Sequence, residues 1–215
     1  MDPRPNQRPD QLVYLADWAS DPEFPIHPFG SREKSVFVCP TPAPFPFLLP
    51  GHRYLFKLSN PRGPSQFWSE IIAYQIGEMM GIEVPPAFVG VNSEGQPGAL
   101  MEFFYGHDGS DETLEHGGDY WVRFFPGYDR RKGRSHSIQG NLDIGRELRN
   151  QGLICDPVDH WSELLLLDAL IGNTDRHQDN WGVVWRRVPT SGNRPGRYAP
   201  AFDNGTSLIP TITRG

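Results

Sequence analysis

The chain has 215 residues, 37% of them hydrophobic and 21% charged, so it is long enough to bury a core and too apolar to be disordered. A net charge of −6 argues against a general binder of nucleic acid or anionic membrane, which would be basic. Gly 23 and Pro 22 predict many turns and short elements, not a helical bundle; two distant cysteines, Cys39 and Cys155, give neither a disulfide framework nor a zinc motif and fit a reducing cytoplasm.

Residues 1–28 are rich in Pro and polar groups and read as an N-terminal arm, with Leu12–Trp18 a short helix or strand. No apolar signal-peptide core is visible, and no apolar run is long enough to span a bilayer. Gly30–Lys34 is a polar turn before a short strand, Ser35–Cys39. Thr41–Pro50 alternates Pro with Ala, Phe and Leu and cannot join a central strand. His52–Leu58 alternates like a strand. Ser65 is placed to cap a helix from Gln66 to Met80, closed by Gly81. Ala87–Val91 and Gly98–Phe104 read as strands joined by the turn Asn92–Pro97.

Tyr105–Ser137 is the least readable stretch and ends in a basic run, Arg130–Arg134, which is either a solvated loop or a contact for acidic substrate or phosphate. Asn141–Asn150 reads as a short helix. Pro157 at a first helical position after Asp156 opens another that runs to Ile171 and stops at Gly172. Its Leu164–Leu167 run and Leu170 imply deep burial. Trp181–Trp185 and Tyr198–Phe202 read as a hairpin, and Asp203-Asn204-Gly205 as a turn.

The chemistry concentrates in Asn173-Thr174-Asp175-Arg176-His177-Gln178-Asp179-Asn180, a polar loop between an apolar helix and an apolar strand. Phosphoryl transfer from ATP needs one carboxylate to take the proton of the attacking hydroxyl, and an amide oxygen with a second carboxylate to hold Mg²⁺. Asp175, Asn180 and Asp203 supply that set as D-x-x-x-x-N, a hairpin, then D-x-G. The structural alternative is a loop closing a helix, followed by an Asx-turn. Lys57 lies in a strand otherwise apolar on its face, so it needs an anion, and Glu70 near the start of the next helix can supply one. Gly30, Ser31 and Lys34 form a candidate phosphate loop, though it has one glycine and matches no full phosphate-loop pattern, so an ordinary turn remains open. His177 reads as a metal ligand or a hydrogen-bonding spacer, and no His/Cys cluster completes a zinc site. A G-x-S-x-G nucleophile is absent.

LLLLDALIGNTDRHQDNWGVV at Leu164–Val184 and APAFDNGTSL at Ala199–Leu208 resemble the HipA-like serine/threonine kinases of bacterial toxin–antitoxin systems. FGSREKSVF, YLFKLS and EIIAYQIGEMMGIEVPPA, at Phe29–Phe37, Tyr54–Ser59 and Glu70–Ala87, resemble the same family. The resemblance implies an α+β, protein-kinase-like bilobal fold, with a β-rich N-lobe over 29–104 carrying one helix and a shortened, more helical C-lobe over 105–215. It implies Asp175 as base, Asn180 and Asp203 as Mg²⁺ ligands, Lys57 with Glu70 at the ATP phosphates, Gly30–Lys34 as the phosphate loop, and Met101 and Phe103 near the adenine. His177 falls inside the same ATP-site motif. The implied partners are ATP, a protein substrate such as an aminoacyl-tRNA synthetase, and a DNA-binding antitoxin, with no direct nucleic acid and no membrane. Autophosphorylation just before the phosphate loop, found in some members, would meet His27 here, with Ser31 and Ser35 in or after the loop. NTDRHQDNW and FDNG also resemble type II phosphatidylinositol 4-kinases. Asp203 lies near the end of the sequence, so a shortened C-lobe with exposed apolar surface on the 164–171 helix is expected, and a non-catalytic nucleotide-binding module is the alternative from another class.

Overall fold

The structure, a computed structural model, describes residues 4–21, 34–59, 66–107, 110–187 and 195–205. The chain is mixed α+β, and its described residues divide into two units: those up to Gln75 with Pro85–Phe103, and Ile76–Val84 with those from Phe104 to Gly205.

The first unit is a six-stranded sheet in the order β1-β5-β6-β4-β3-β2. Its strands are β1 (Val13–Tyr14), β2 (Ala19–Ser20), β3 (Lys34–Val38), β4 (Arg53–Leu58), β5 (Ala87–Val91) and β6 (Pro97–Glu102). β-Branched and aromatic side chains fill β3 and β4, and Val36, Tyr54 and Phe56 are buried. Gly98 has no room for a Cβ, which would lie 2.6 Å from the Lys57 carbonyl oxygen, so a glycine lets β6 close on β4 here. Helix α1 (Phe67–Met80) follows β4 and carries Glu70 in its first turn; the proposed cap Ser65 lies outside the described residues.

The described part of residues 1–28 contributes two short strands to this sheet. β1 pairs in parallel with β5, and β2 pairs antiparallel with β3. Arg4 binds Glu102 at 2.7 Å and Asp21 binds Arg53 at 2.6 Å. Val13, Leu15 and Trp18 are buried, which offsets the ordering cost of a Pro-rich segment.

The second unit holds α2 (Gly117–Phe124), α3 (Ile138–Asn150), α4 (Pro157–Ile171) and a three-stranded sheet in the order β7-β8-β9. β7 is Glu112–His116, β8 Gly182–Arg186 and β9 Gly196–Tyr198. Neither β7 nor α2 was legible in the sequence, and α3 starts three residues earlier than expected, capped by the Ser137 hydroxyl. β9 stops at Tyr198, short of the expected Phe202. Pro200 has no N–H for a ladder, and the Ala201 N–H goes instead to the Glu83 carbonyl at 2.8 Å.

Helix α4 begins as expected: Asp156 accepts from the Val158 N–H at 2.8 Å, Pro157 follows, and Gly172 closes the helix at φ 64°. Only one of its faces is buried. Trp161, Leu164, Leu167 and Ile171 enter the core, each contributing about 1.5–3 kcal/mol. Leu165, Leu166 and Leu170 are about half exposed, so the deep burial expected for the whole run is corrected to a single stripe, and the expected exposed apolar surface lies on this helix. Both cysteines are free. Among the described residues no helix is long and apolar enough to cross a membrane.

Candidate functional site

Two clusters carry the predicted residues, one in each unit. In the first, Lys57 and Glu70 are 3% and 2% exposed, and the Lys57 ammonium donates to Glu70 Oε1 at 2.9 Å. The pairing follows from the chain: β4 ends just before α1, and Glu70 sits one turn into that helix. A charge so far from water needs its counter-ion, and loss of either partner would strand the other. Lys34 lies directly across the ladder from Lys57, while Gly30, Ser31 and His27 lie outside the described residues. Met101, on β6, is buried, and Phe103 donates its N–H to Arg53 at the strand's end. The chain passes from the first unit to the second between Phe103 and Phe104.

In the second unit, the turn of Gly172 releases the chain into the loop Asn173–Asn180. Asp175 is exposed there. Its own N–H is held by Asn173 Oδ1 at 3.1 Å, and its carbonyl accepts from the Asn180 amide at 2.7 Å and the His177 N–H at 2.8 Å. The carboxylate itself makes no hydrogen bond or ion pair among the described residues, so it remains available as an acceptor. Asn180 is 6% exposed; with its Nδ2 spent on Asp175, its Oδ1 is the group left for a cation. Asp203 adopts φ 57°, a left-handed conformation that Asp tolerates better than most residues. His177 Nδ1 accepts from the Asp179 N–H at 3.1 Å, the spacer role, which places its ring proton on Nε2.

Arg176 joins these pieces, and the sequence did not single it out. Its side chain is 7% exposed. It forks onto Asp168 of α4 at 2.7 and 3.0 Å, and reaches the carbonyls of Asn180 at 2.9 Å and Phe202 at 2.6 Å. A last bond goes to Asn204 Oδ1 at 2.7 Å. The loop bearing Asp175 and Asn180 is thereby fastened to the segment bearing Asp203 on either side of that residue. Asn204, 1% exposed, also donates to Ala201 O at 2.8 Å, and Asn173 donates to Asp168 at 2.9 Å. The available signal was Asp168 itself, the one acid in the apolar Leu164–Ile171 half of α4, where a buried carboxylate calls for a cation nearby.

Two more residues brace the loop. His116, ending β7, donates Nδ1–H to the Asp179 carbonyl at 3.0 Å. Arg130 binds Asp179 Oδ1 at 2.7 Å and also pairs with Asp119. Among the described residues no group of three or more His, Cys, Asp or Glu is arranged for a metal. The Asn180 amide and Asp203 carboxylate are hard oxygen donors of the kind Mg²⁺ accepts.

No family model matches the sequence, and no curated protein matches it. Among solved structures the chain is similar to the Helicobacter pylori proinflammatory kinase CtkA, with a TM-score of 0.67 at 18% identity. The match covers 93% of this chain and 62% of that one. The fold is therefore kinase-like, and the chain spans less than two thirds of the kinase it matches.

Proposed function

We propose that the protein is an ATP- and Mg²⁺-dependent kinase of the HipA-like type that phosphorylates a Ser or Thr hydroxyl of a protein. The observation that carries this reading is the clamp of Arg176, which holds the loop of Asp175 and Asn180 to both flanks of Asp203. A helix-closing loop needs no such bond to a distant acidic turn.

Asp175 takes the proton as the hydroxyl oxygen attacks the γ-phosphorus and the bond to the ADP oxygen breaks. Asn180 and Asp203 would hold magnesium, which supplies charge neutralisation on the phosphates when bound. Lys57, fixed by Glu70, is assigned to the ATP phosphates, and Met101 with Phe103 to the adenine. An exposed carboxylate suits Asp175, because a base must reach a hydroxyl carried by another macromolecule. Free cysteines agree with a cytoplasmic setting. An aminoacyl-tRNA synthetase as target and a DNA-binding antitoxin as partner complete the HipA-like reading.

A non-catalytic nucleotide-binding module is the alternative that the same assay separates. Purified chain with radiolabelled ATP and Mg²⁺ is expected to label itself or a protein of a cell extract, and Asp175→Ala to abolish the label. Nucleotide binding without Asp175-dependent transfer favours the module, and label in phosphoinositide favours a lipid kinase.

A further inference from the structure

The basic run Arg130–Arg134 is not absorbed by the mechanism, and it borders a cavity of about 350 Å³ in the second unit. One wall is aromatic: Trp121 stacks on Phe125 at 4.3 Å and lies 5.2 Å from Tyr128. The other wall is polar and carries Lys132, Arg134 and Ser135, with one acid, Asp129. Ser135 turns the chain at φ 78°. A chain of net charge −6 thus places four of its 20 lysines and arginines in one short run beside an aromatic pocket.

The charges divide by role. Arg130 is neutralised by Asp119 and Asp179. Lys132 is exposed and loosely paired with Asp129 at 3.4 Å. Arg131 and Arg134 are exposed and make no ion pair among the described residues. The turn is also fixed to the loop of Asp175: Gln178 donates to the Arg130 carbonyl at 3.2 Å, and Gly133 packs on the Gln178 side chain.

We propose that this cavity docks an acidic stretch of the protein substrate, with a large apolar side chain against Trp121, Phe125 and Tyr128 and flanking carboxylates against Arg131, Lys132 and Arg134. Charge complementarity selects the acidic partner. The aromatic wall and the volume ask for a side chain, not a bare anion. Nucleic acid is disfavoured because the acidic chain repels a long phosphate backbone and this turn offers only three cations. The occupant is a substrate only if the phosphoryl-transfer reading holds; docking itself needs no nucleotide.

The test is fluorescence anisotropy on the full chain without ATP, using three fluorescein-labelled probes: an alternating glutamate–phenylalanine peptide, its lysine–phenylalanine counterpart, and oligouridine. The glutamate peptide is expected to bind about ten-fold tighter than either other probe, and added salt to weaken it. R131E/R134E is expected to weaken it about ten-fold, while R146E/R149E makes the same charge change on α3 outside the cavity and is expected to shift it less than about two-fold. Equal loss in both double variants, a preference for oligouridine or the lysine peptide, or no saturable binding overturns the proposal. The ranking of the probes needs no variant. Peptide binding without ATP-dependent transfer defeats the kinase reading and leaves the docking site; transfer without peptide preference does the reverse.

Discussion

Replacing Arg176 by Ala removes all the bonds its guanidinium makes in the candidate site. Asp168, 6% exposed, keeps only the Asn173 amide, and the carbonyls of Asn180 and Phe202 lose a charged donor. Removing one partner of a buried ion pair costs about 3–5 kcal/mol, because the other charge stays buried without compensation. With a urea dependence of about 2 kcal/mol per molar, the unfolding midpoint of the second unit falls by about 2 M. The assay is urea unfolding followed by tryptophan fluorescence, since Trp161, Trp181 and Trp185 are buried in that unit. Arg176→Lys retains the charge but not the planar fork and is expected to recover about half the loss. A midpoint shift under about 0.5 M for Arg176→Ala is what a surface pair would give, and it would refute the reasoning.

Lys57→Met and Glu70→Leu are each expected to destabilise the first unit by about 3–5 kcal/mol in urea, whereas the double variant loses far less than the sum; additive losses would show that the pair is not coupled. His160 is stacked on Tyr198 at 3.8 Å, and burial, helped by the Arg176 charge, pushes its pKa down to about 3. The unfolded chain takes up that proton from about pH 6.5 downward and the folded chain does not until about pH 3, so stability present above pH 6.5 is lost as pH falls through that window. The loss reaches about 2 kcal/mol at pH 5, and His160→Phe is expected to remove this part of the pH dependence in thermal melts; an unchanged profile would contradict the burial argument.

The parts of the fold legible in the sequence were those written locally. Ala87–Val91 shows strand composition between turns, and α4 carries its cap, its proline and its closing glycine within the segment itself. Helix α2 was hidden because it opens on Gly117-Gly118, residues that weaken a helix and are here because a Cβ at 117 would collide with Trp181. β7 was hidden because its charged residues make a strand only against β8, far along the chain. β1 falls within Leu12–Trp18, read as a short helix or strand, whereas β2 was missed as a two-residue strand with no period to read. In the candidate site, Lys57 and Glu70 announced themselves as charges in apolar elements. Arg176 did not, since in a loop already crowded with polar residues nothing local separates a buried clamp from a solvated side chain.

The most direct trial of the account is a time course of ADP formation and protein-bound phosphate by the full chain with labelled ATP, comparing the wild type with Asp175→Ala and Asp203→Ala. Matched production of ADP and phosphoserine or phosphothreonine by the wild type, slowed at least about a hundred-fold in both variants, is the predicted result. Transfer that persists unchanged in Asp175→Ala would contradict it.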